Sequence, residues 1–270
     1  MPNLIDVTPE QRFVGLFIGP SGSGKTCAEC SFPKPLLNLD FDGRIRGAYN
    51  QSFLPMEGIT YEAFQPREPG LVDRLDKKLE AIDMAGRIQQ PIPKSLILDS
   101  LTSQCFAMIC QASPLTHSLP GKGGSTIKKG KFLGTVAMAG PEDYGFEAQM
   151  TYNIMSWFRS VPVQNIIVSA HVIPVFGKED PTNEYSNTIV VGEKLSVRDK
   201  IGANIGIYFD HVFQFRKSEE GSREKFWCKF RGELARTAFK ELPEGWVDIT
   251  GKNFYNEVLM HYVKGELPKI

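Results

Sequence analysis

An α/β domain, with a mostly parallel sheet flanked by helices and a hairpin near its C-terminal end, is the fold class this sequence predicts. Three observations predict it. A complete glycine-rich loop, Gly19-Pro20-Ser21-Gly22-Ser23-Gly24-Lys25-Thr26, lies between the apolar run Phe13–Ile18 and a segment that can continue as a helix. Further apolar runs at 36–40, 95–100 and 163–170 alternate with stretches of helical spacing, the pattern of a parallel sheet with helical crossovers. Finally, Phe226–Phe230 reads as the hairpin partner of 207–215 across Gly221.

Residues 1–12 form a short polar lead-in, and Phe13–Ile18 reads as a buried strand. The loop at 19–26 follows it. Backbone N–H groups in such a loop surround phosphate oxygens, helped by the positive end of the next helix. Lys25 can reach the β- and γ-phosphates, and Thr26 can ligate Mg²⁺. The helix after it must be short, because Pro33 and Pro35 follow. Leu36–Asp40 is the next strand, ending in Asp40-Phe41-Asp42-Gly43, and residues 44–70 read as a surface excursion rich in prolines and aromatics. Leu71, Leu75, Leu79, Ile82 and Ala85 predict a helix over 71–88, closed by Pro91 and Pro93.

Ser95-Leu96-Ile97-Leu98-Asp99-Ser100 is an apolar strand ending in an acid. Downstream of a phosphate loop, that acid is placed to hold a Mg²⁺ water shell beside Thr26. A helix over 101–112 follows. Residues 113–141 then turn glycine-rich and basic, with no Asp or Glu between Asp99 and Glu142. This stretch reads as a solvated loop whose Lys122, Lys128, Lys129 and Lys131 can meet nucleic-acid phosphates. A helix is expected over 142–159, with Tyr144, Phe146, Met150, Ile154, Trp157 and Phe158 as its apolar residues. Residues 163–170 form a buried strand ending at His171, 172–195 a polar excursion, and 197–204 fit neither pattern clearly. After the hairpin come a less regular tail and a short helix near 254–263.

Length and composition set limits. With 270 residues and 41% hydrophobic content, the chain predicts one domain over 1–270, its core at about 10–245 and a C-terminal extension at about 246–270. A formal net charge of zero excludes a bulk polycation, so any nucleic-acid surface is local. No membrane-spanning run is read, so no membrane partner is expected. The five cysteines, including Cys27-x-x-Cys30 on the helix after the loop, read as ordinary thiols in a reducing, intracellular setting.

The chain resembles the RecA-like core ATPases, in particular the small phage recombination ATPases described as single-strand-annealing or phage nucleotide-binding proteins. The resemblance covers about residues 10–245. It rests on the loop at 19–26, Leu96-Ile97-Leu98-Asp99-Ser100, Asp143-Tyr144-Gly145, Ile166-Ile167-Val168-Ser169-Ala170-His171 and Phe209-Asp210-His211-Val212. It implies ATP and Mg²⁺ as cofactors, with Gly19 through Thr26 around the phosphates and Thr26 and Asp99 on the metal. It puts Asp42 at the position of the family's catalytic glutamate, one methylene shorter, with Asp40 as the fallback and a turn cap at Gly43 as the structural alternative. His171 falls where the family places a sensor of the γ-phosphate. Arg236 is the first choice for a residue completing a neighbouring subunit's site, although Ala238 stands where the family has a second basic residue.

The regions 113–141 and 172–195 match the family's two DNA-facing loops, the second with Phe176, Lys178, Lys194 and Tyr185. Implied partners are single-stranded DNA, further copies of the chain in a ring or short filament, and a single-stranded-DNA-binding protein. The implied setting is the cytoplasm of a phage-infected bacterium, and the implied activity is ATP-dependent strand annealing or pairing. The rival expectations are a helicase or helicase-loader ATPase, and a nucleotide-dependent protein scaffold or regulator that hydrolyses little.

Overall fold

A computed structural model describes residues 12–49, 54–117, 126–130, 134–137, 141–179, 182 and 187–263. The first strand, β1 (Phe13–Gly19), is buried along its whole length and leads through the glycine-rich loop into α1 (Lys25–Cys30). Then come β2 (Leu36–Asp40), α2 (Ile45–Tyr49), β3 (Ile59–Ala63), α3 (Leu71–Arg87), β4 (Ser95–Asp99) and α4 (Leu101–His117). A small antiparallel pair, β5 (Thr126–Gly130) and β6 (Gly134–Ala137), precedes α5 (Pro141–Ser160). The chain continues through β7 (Asn165–Lys178), β8 (Thr188–Leu195) and α6 (Asp199–Ile205), followed by a 3₁₀ turn at Gly206–Tyr208. It closes with β9 (His211–Glu220), β10 (Arg223–Lys229), β11 (Trp246–Asp248), a π-helical turn at Phe254–Leu259 and α7 (Met260–Val263).

The main sheet runs β11-β10-β9-β1-β7-β4-β2-β3, with β8 attached to β7. From β9 through β3 every pairing is parallel, while β9-β10, β10-β11 and β7-β8 are antiparallel. Alternation along β1 explains how one strand serves two cores. Val14, Leu16 and Ile18 face a core closed by α3, α4, α5 and α6, and Phe13 and Phe17 face a second core closed by α1 and the C-terminal turn around Phe254. Burying each such large side chain contributes about 1.5–3 kcal/mol.

Parallel pairing brings the carboxyl ends of the central strands into one row. Gly19 of β1 pairs with His171 of β7, and Asp40 of β2 pairs with Asp99 of β4. Acids and loop therefore meet at a single edge, where open α/β sheets characteristically place ligands.

Several expectations needed revision. The excursion at 44–70 contains α2 and β3. β3 is an edge strand, mostly exposed on both faces, so it carries no apolar alternation to read. The loop expected at 113–141 contributes the last turn of α4 and the β5-β6 pair. Lys128 and Lys129 sit on β5, whereas Lys122 and Lys131, like Tyr185, lie outside the described residues. The excursion at 172–195 is largely strand: β7 continues past His171 to Lys178 and β8 returns beside it. Its Pro and Gly residues mimic loop punctuation because the ribbon needs no central-strand hydrogen bonds on its far side.

α5 is the predicted helix but presents another face. It buries Asp143, Glu147, Ala148, Thr151, Met155 and Phe158, and leaves Phe146 and Trp157 about two-fifths exposed, at 42% and 41%. The cause is its neighbour. α5 lies against α4, where Thr151 Oγ1 meets Cys105 Sγ at 3.6 Å.

Candidate functional site

The glycine-rich loop is shaped by close approach. A Cβ at Gly19 would lie 2.4 Å from the Phe215 carbonyl oxygen, and Gly24 adopts φ +90 with the Phe226 ring 3.2 Å from where its Cβ would be. Only glycine tolerates either place without displacement. The Ser23 hydroxyl is buried within the loop without a hydrogen-bond partner. Pro20, Ser21 and Gly22 complete the turn, and the Ser21 hydroxyl accepts a hydrogen bond from Arg44.

Lys25 is buried and curls over the loop, its ammonium donating to the carbonyls of Gly19 at 2.8 Å and Pro20 at 2.9 Å. Burial lowers its pKa, while the charges of Glu29, Asp99 and Asp42 pull the other way. Beside it, Thr26 Oγ1 donates to Asp99 Oδ2 at 2.9 Å, and Ser169 Oγ donates to Asp99 Oδ1 at 2.6 Å. Burial raises the Asp99 pKa against the Ser169 hydrogen bond, and the charge of Asp42 adds to the rise. Asp99 is thus fixed in one orientation with its Thr26-facing oxygen toward the loop.

The two acids at the end of β2 part company. Asp40 Oδ1 accepts from the backbone N–H groups of Gly43 at 2.7 Å and Asp42 at 3.1 Å, so Asp40 caps the turn. Asp42 points across the sheet edge. Its Oδ1 accepts from the hydroxyls of Ser100, at 2.9 Å, and Ser103, and its Oδ2 lies 2.7 Å from His171 Nε2. Burial pushes the Asp42 carboxyl up, but the hydrogen bonds from His171, Ser103 and Ser100 together outweigh it and hold it at about 2. A carboxylate so well supplied with donors is a weak base. In this arrangement Asp42 acts first as the acceptor that orients His171.

His171 is anchored at a second point, its backbone N–H donating to Thr102 Oγ1 at 3.0 Å, while its Nδ1 is buried without a partner. The structure therefore brings Lys25, Thr26, Asp99, Asp42 and His171 to one edge. Arg236 is not among them. Its guanidinium donates to the carbonyls of Gly206 and, at 3.2 Å, Phe209, and its backbone bridges to Val212 of β9.

Three contributors were not anticipated. Arg44 spans the loop and the acids, bonding Ser21 and lying 4.0 Å from Asp42 Oδ2. Its signal was an arginine directly after the acid turn. Ser169 holds Asp99 from the neighbouring strand, which no local pattern announces. Glu29, on α1, is fully buried with neither carboxylate oxygen hydrogen-bonded; burial, then the nearby Asp99 charge, raises it well above the usual carboxylate range. Cys27 and Cys30 are free thiols on the same helix, and burial pushes both up, Cys27 to about 11.

The arrangement fits a nucleoside triphosphate with a divalent cation. Lys25 has only backbone carbonyls to exchange for phosphate oxygens, and the orphaned Ser23 hydroxyl lies in the loop. Among the described residues, no group of three or more His, Cys, Asp or Glu is arranged to hold a metal ion unaided. Thr26 and Asp99 could hold Mg²⁺ only together with phosphate oxygens and water, the usual manner of that ion. Beside the loop, on the side away from the acids, Gly24, Cys27, Phe226, Ile249, Gly251 and Phe254 line an apolar niche.

No protein-family model matches the sequence, and no curated protein matches it. Among solved structures, it is similar to a KaiC-like protein from the hyperthermophilic archaeon Pyrococcus horikoshii OT3, with 14% identity over 87% of this chain and 88% of that one and a TM-score of 0.38. At that TM-score the overlap lends no weight to any reading of the site. The chain's own strand order gives a mixed, mostly parallel sheet flanked by helices. No helix among the described residues is long and apolar enough to cross a membrane.

Proposed function

We propose that this protein is a Mg²⁺-dependent ATPase of the RecA-like type that acts on single-stranded DNA, promoting annealing or pairing during phage DNA recombination. The observation that carries the ATPase reading is the Thr26–Asp99 hydrogen bond beside Lys25, with the Asp42–His171 pair across the same edge. Lys25 would exchange the Gly19 and Pro20 carbonyls for β- and γ-phosphate oxygens. Thr26 and Asp99 would hold Mg²⁺, which would supply positive charge against the developing phosphate charge. Arg44, bonded to Ser21 and 4.0 Å from Asp42 Oδ2, would meet the terminal phosphate. The apolar niche beside Gly24 suits a purine, since the acids mark the γ-phosphate side and the nucleoside must leave by the other.

His171 supports a coupling role. It lies within β7, whose continuation forms the ribbon with β8, so a change in its Asp42 contact has a direct covalent route to that ribbon. Lys128 and Lys129, with Lys122 and Lys131, are the lysines proposed to meet DNA phosphates. Assembly into a ring or short filament, with Arg236 or another cation completing a neighbour's site, belongs to the same proposal.

One observation favours a second reading, a nucleotide-dependent regulator with little hydrolysis: Asp42 is engaged by three donors and held at about 2, which leaves it little basicity toward water. Both readings are tested by Mg-ATP hydrolysis with wild-type and Lys25→Ala protein, with and without single-stranded DNA, at low and moderate salt. DNA-stimulated turnover that the substitution abolishes supports the recombination ATPase. Nucleotide binding with neither DNA binding nor stimulation supports the regulator instead.

A further inference from the structure

Past β1, the sheet face that α3–α6 cover elsewhere carries a different set of residues. Register places Arg216 and Ser218 of β9, Lys225, Trp227 and Lys229 of β10, and Trp246 of β11 on this one face: Trp227 pairs with Arg216, Lys225 with Ser218 and Lys229 with Trp246. The opposite face of the same strands holds Phe213, Phe215, Cys228 and Phe230, buried against Phe254. One face is thus core, and the other has half-buried indoles and an exposed arginine.

Cations and indoles alternate across this face. The Arg216 guanidinium carbon lies 4.0 Å from the centroid of the Trp246 ring and 5.9 Å from that of Trp227. Lys225 Nζ is 5.9 Å from the Trp227 centroid, and Lys229 Nζ is 5.8 Å from that of Trp246. Trp227 Nε1 donates to Ser218 Oγ at 2.8 Å, which fixes its ring. The charges are unevenly matched. Lys225 is paired with Glu220 at 2.6 Å, whereas Arg216 and Lys229 have no carboxylate partner among the described residues. Asp248, opposite Trp227, and Glu193, bound to Gln214, mark the margins.

We propose that this face is a platform for single-stranded nucleic acid, with Arg216 and Lys229 meeting phosphate oxygens and Trp227 and Trp246 supplying stacking surfaces for bases. The choice of nucleic acid as ligand rests on the DNA-directed function proposed above. With its guanidinium carbon 4.0 Å over the Trp246 ring, Arg216 keeps N–H donors for a phosphate while staying in contact with the indole. Stacked aromatics beside unpaired cations are the combination that holds a single strand irrespective of sequence. An acidic peptide would use the cations and leave the indoles idle.

The test is fluorescence anisotropy with a labelled oligothymidylate, without nucleotide and at low salt, together with tryptophan emission in a Trp157→Phe background that leaves only Trp227 and Trp246 to report. The platform predicts quenched emission on binding. It also predicts at least about a tenfold loss of affinity in the Arg216→Glu, Lys229→Glu double variant, with a salt dependence shallower by about one unit or more, for two lost phosphate contacts. Turnover without DNA stays unchanged in that variant, which also reports that the domain is folded. An Arg216→Gln, Lys229→Gln pair, neutral and gentler to the sheet, loses affinity in the same direction.

If wild type binds the oligonucleotide and both double variants bind it equally well, the platform is overturned while the DNA-directed function stands. The same holds if Lys128→Glu, Lys129→Glu abolishes binding and the platform variants do not. Hydrolysis of ATP by a wild type that binds no oligonucleotide overturns both. Polyglutamate that competes on equal terms with the oligonucleotide, with no change in tryptophan emission, assigns the face to an acidic protein and overturns the nucleic-acid platform.

Discussion

At the carboxyl edge of β2, β4 and β7, the charged groups are largely spoken for by their neighbours. Asp40 caps its turn, Asp42 has Ser100, Ser103 and His171, and Asp99 has Thr26 and Ser169. On the Arg216 face of β9–β11, Arg216 and Lys229 have indoles beneath them and no carboxylate partner among the described residues. The difference follows from dielectric surroundings. Buried charges must be hydrogen-bonded or neutralised, whereas exposed cations remain hydrated and free to exchange water for a ligand. The closed edge suits a small ligand that enters by exchanging partners, and the open face suits an extended one.

The largest effect is expected where the closed edge is cut at its cation. Lys25→Ala should lower Mg-ATP turnover by about a hundredfold or more, because developing phosphate charge loses its fixed positive partner; a Pi-release assay reads this directly. Asp99→Asn should match it, with a raised Mg²⁺ requirement. Survival of near-normal turnover in either variant would falsify the assignment of this edge as the reacting site.

Asp42 comes next. Its folded pKa of about 2 lies below the unfolded value of 3.8, so its contribution to stability is present above about pH 4 and is lost as pH falls from 4 toward 2. Asp42→Asn should therefore cost roughly 2 kcal/mol at neutral pH, only a few tenths of that near pH 2, and nothing about a unit lower. Urea melts at several pH values will show this as a flattened acid limb.

Glu29 probes the fully buried acid on α1 beside that edge. Its pKa is raised, so the folded state holds the proton more tightly than the unfolded chain does, and stability falls as pH rises above the ordinary glutamate value. Glu29→Gln carries no such charge. It should equal wild type near pH 4 and exceed it at pH 8, and a crossing in the other direction would mean that Glu29 is ionised beside Lys25.

On the open face the expected stability change is smallest. Arg216→Gln should alter the melting free energy by about 0.5–1 kcal/mol, the worth of a partly exposed cation–aromatic contact. A much larger loss in calorimetry would mean that the ladder serves to hold the sheet together rather than to meet a ligand.

Reading the sequence worked best where neighbouring residues alone carry the signal. β1, β2, β4 and the first half of β7 are largely buried on both faces, so each shows as a mainly apolar run. β3 and β8 do not, because an edge or ribbon strand has no fixed polarity to its faces. β8 leaves Ile189, Val190 and Val191 exposed in succession. The acid turn shows the same limit at the level of a side chain: Asp40 and Asp42 are equivalent in the sequence, and only the register of β2 with β4 turns one into a cap and the other toward His171.

The sequence by itself determined the strand–loop–helix unit that carries Lys25 and Thr26, and the apolar strand that delivers Asp99, since both depend on contiguous residues and their period. Tertiary structure alone decided which acid meets His171, a contact spanning 129 positions of sequence. It also gave Arg236 to its own chain's carbonyls and gathered Arg216, Trp227, Lys229 and Trp246 on one face of β9–β11. Such outcomes depend on register and on where the covering helices stop, and those are set by long-range packing of the whole sheet rather than by any local pattern.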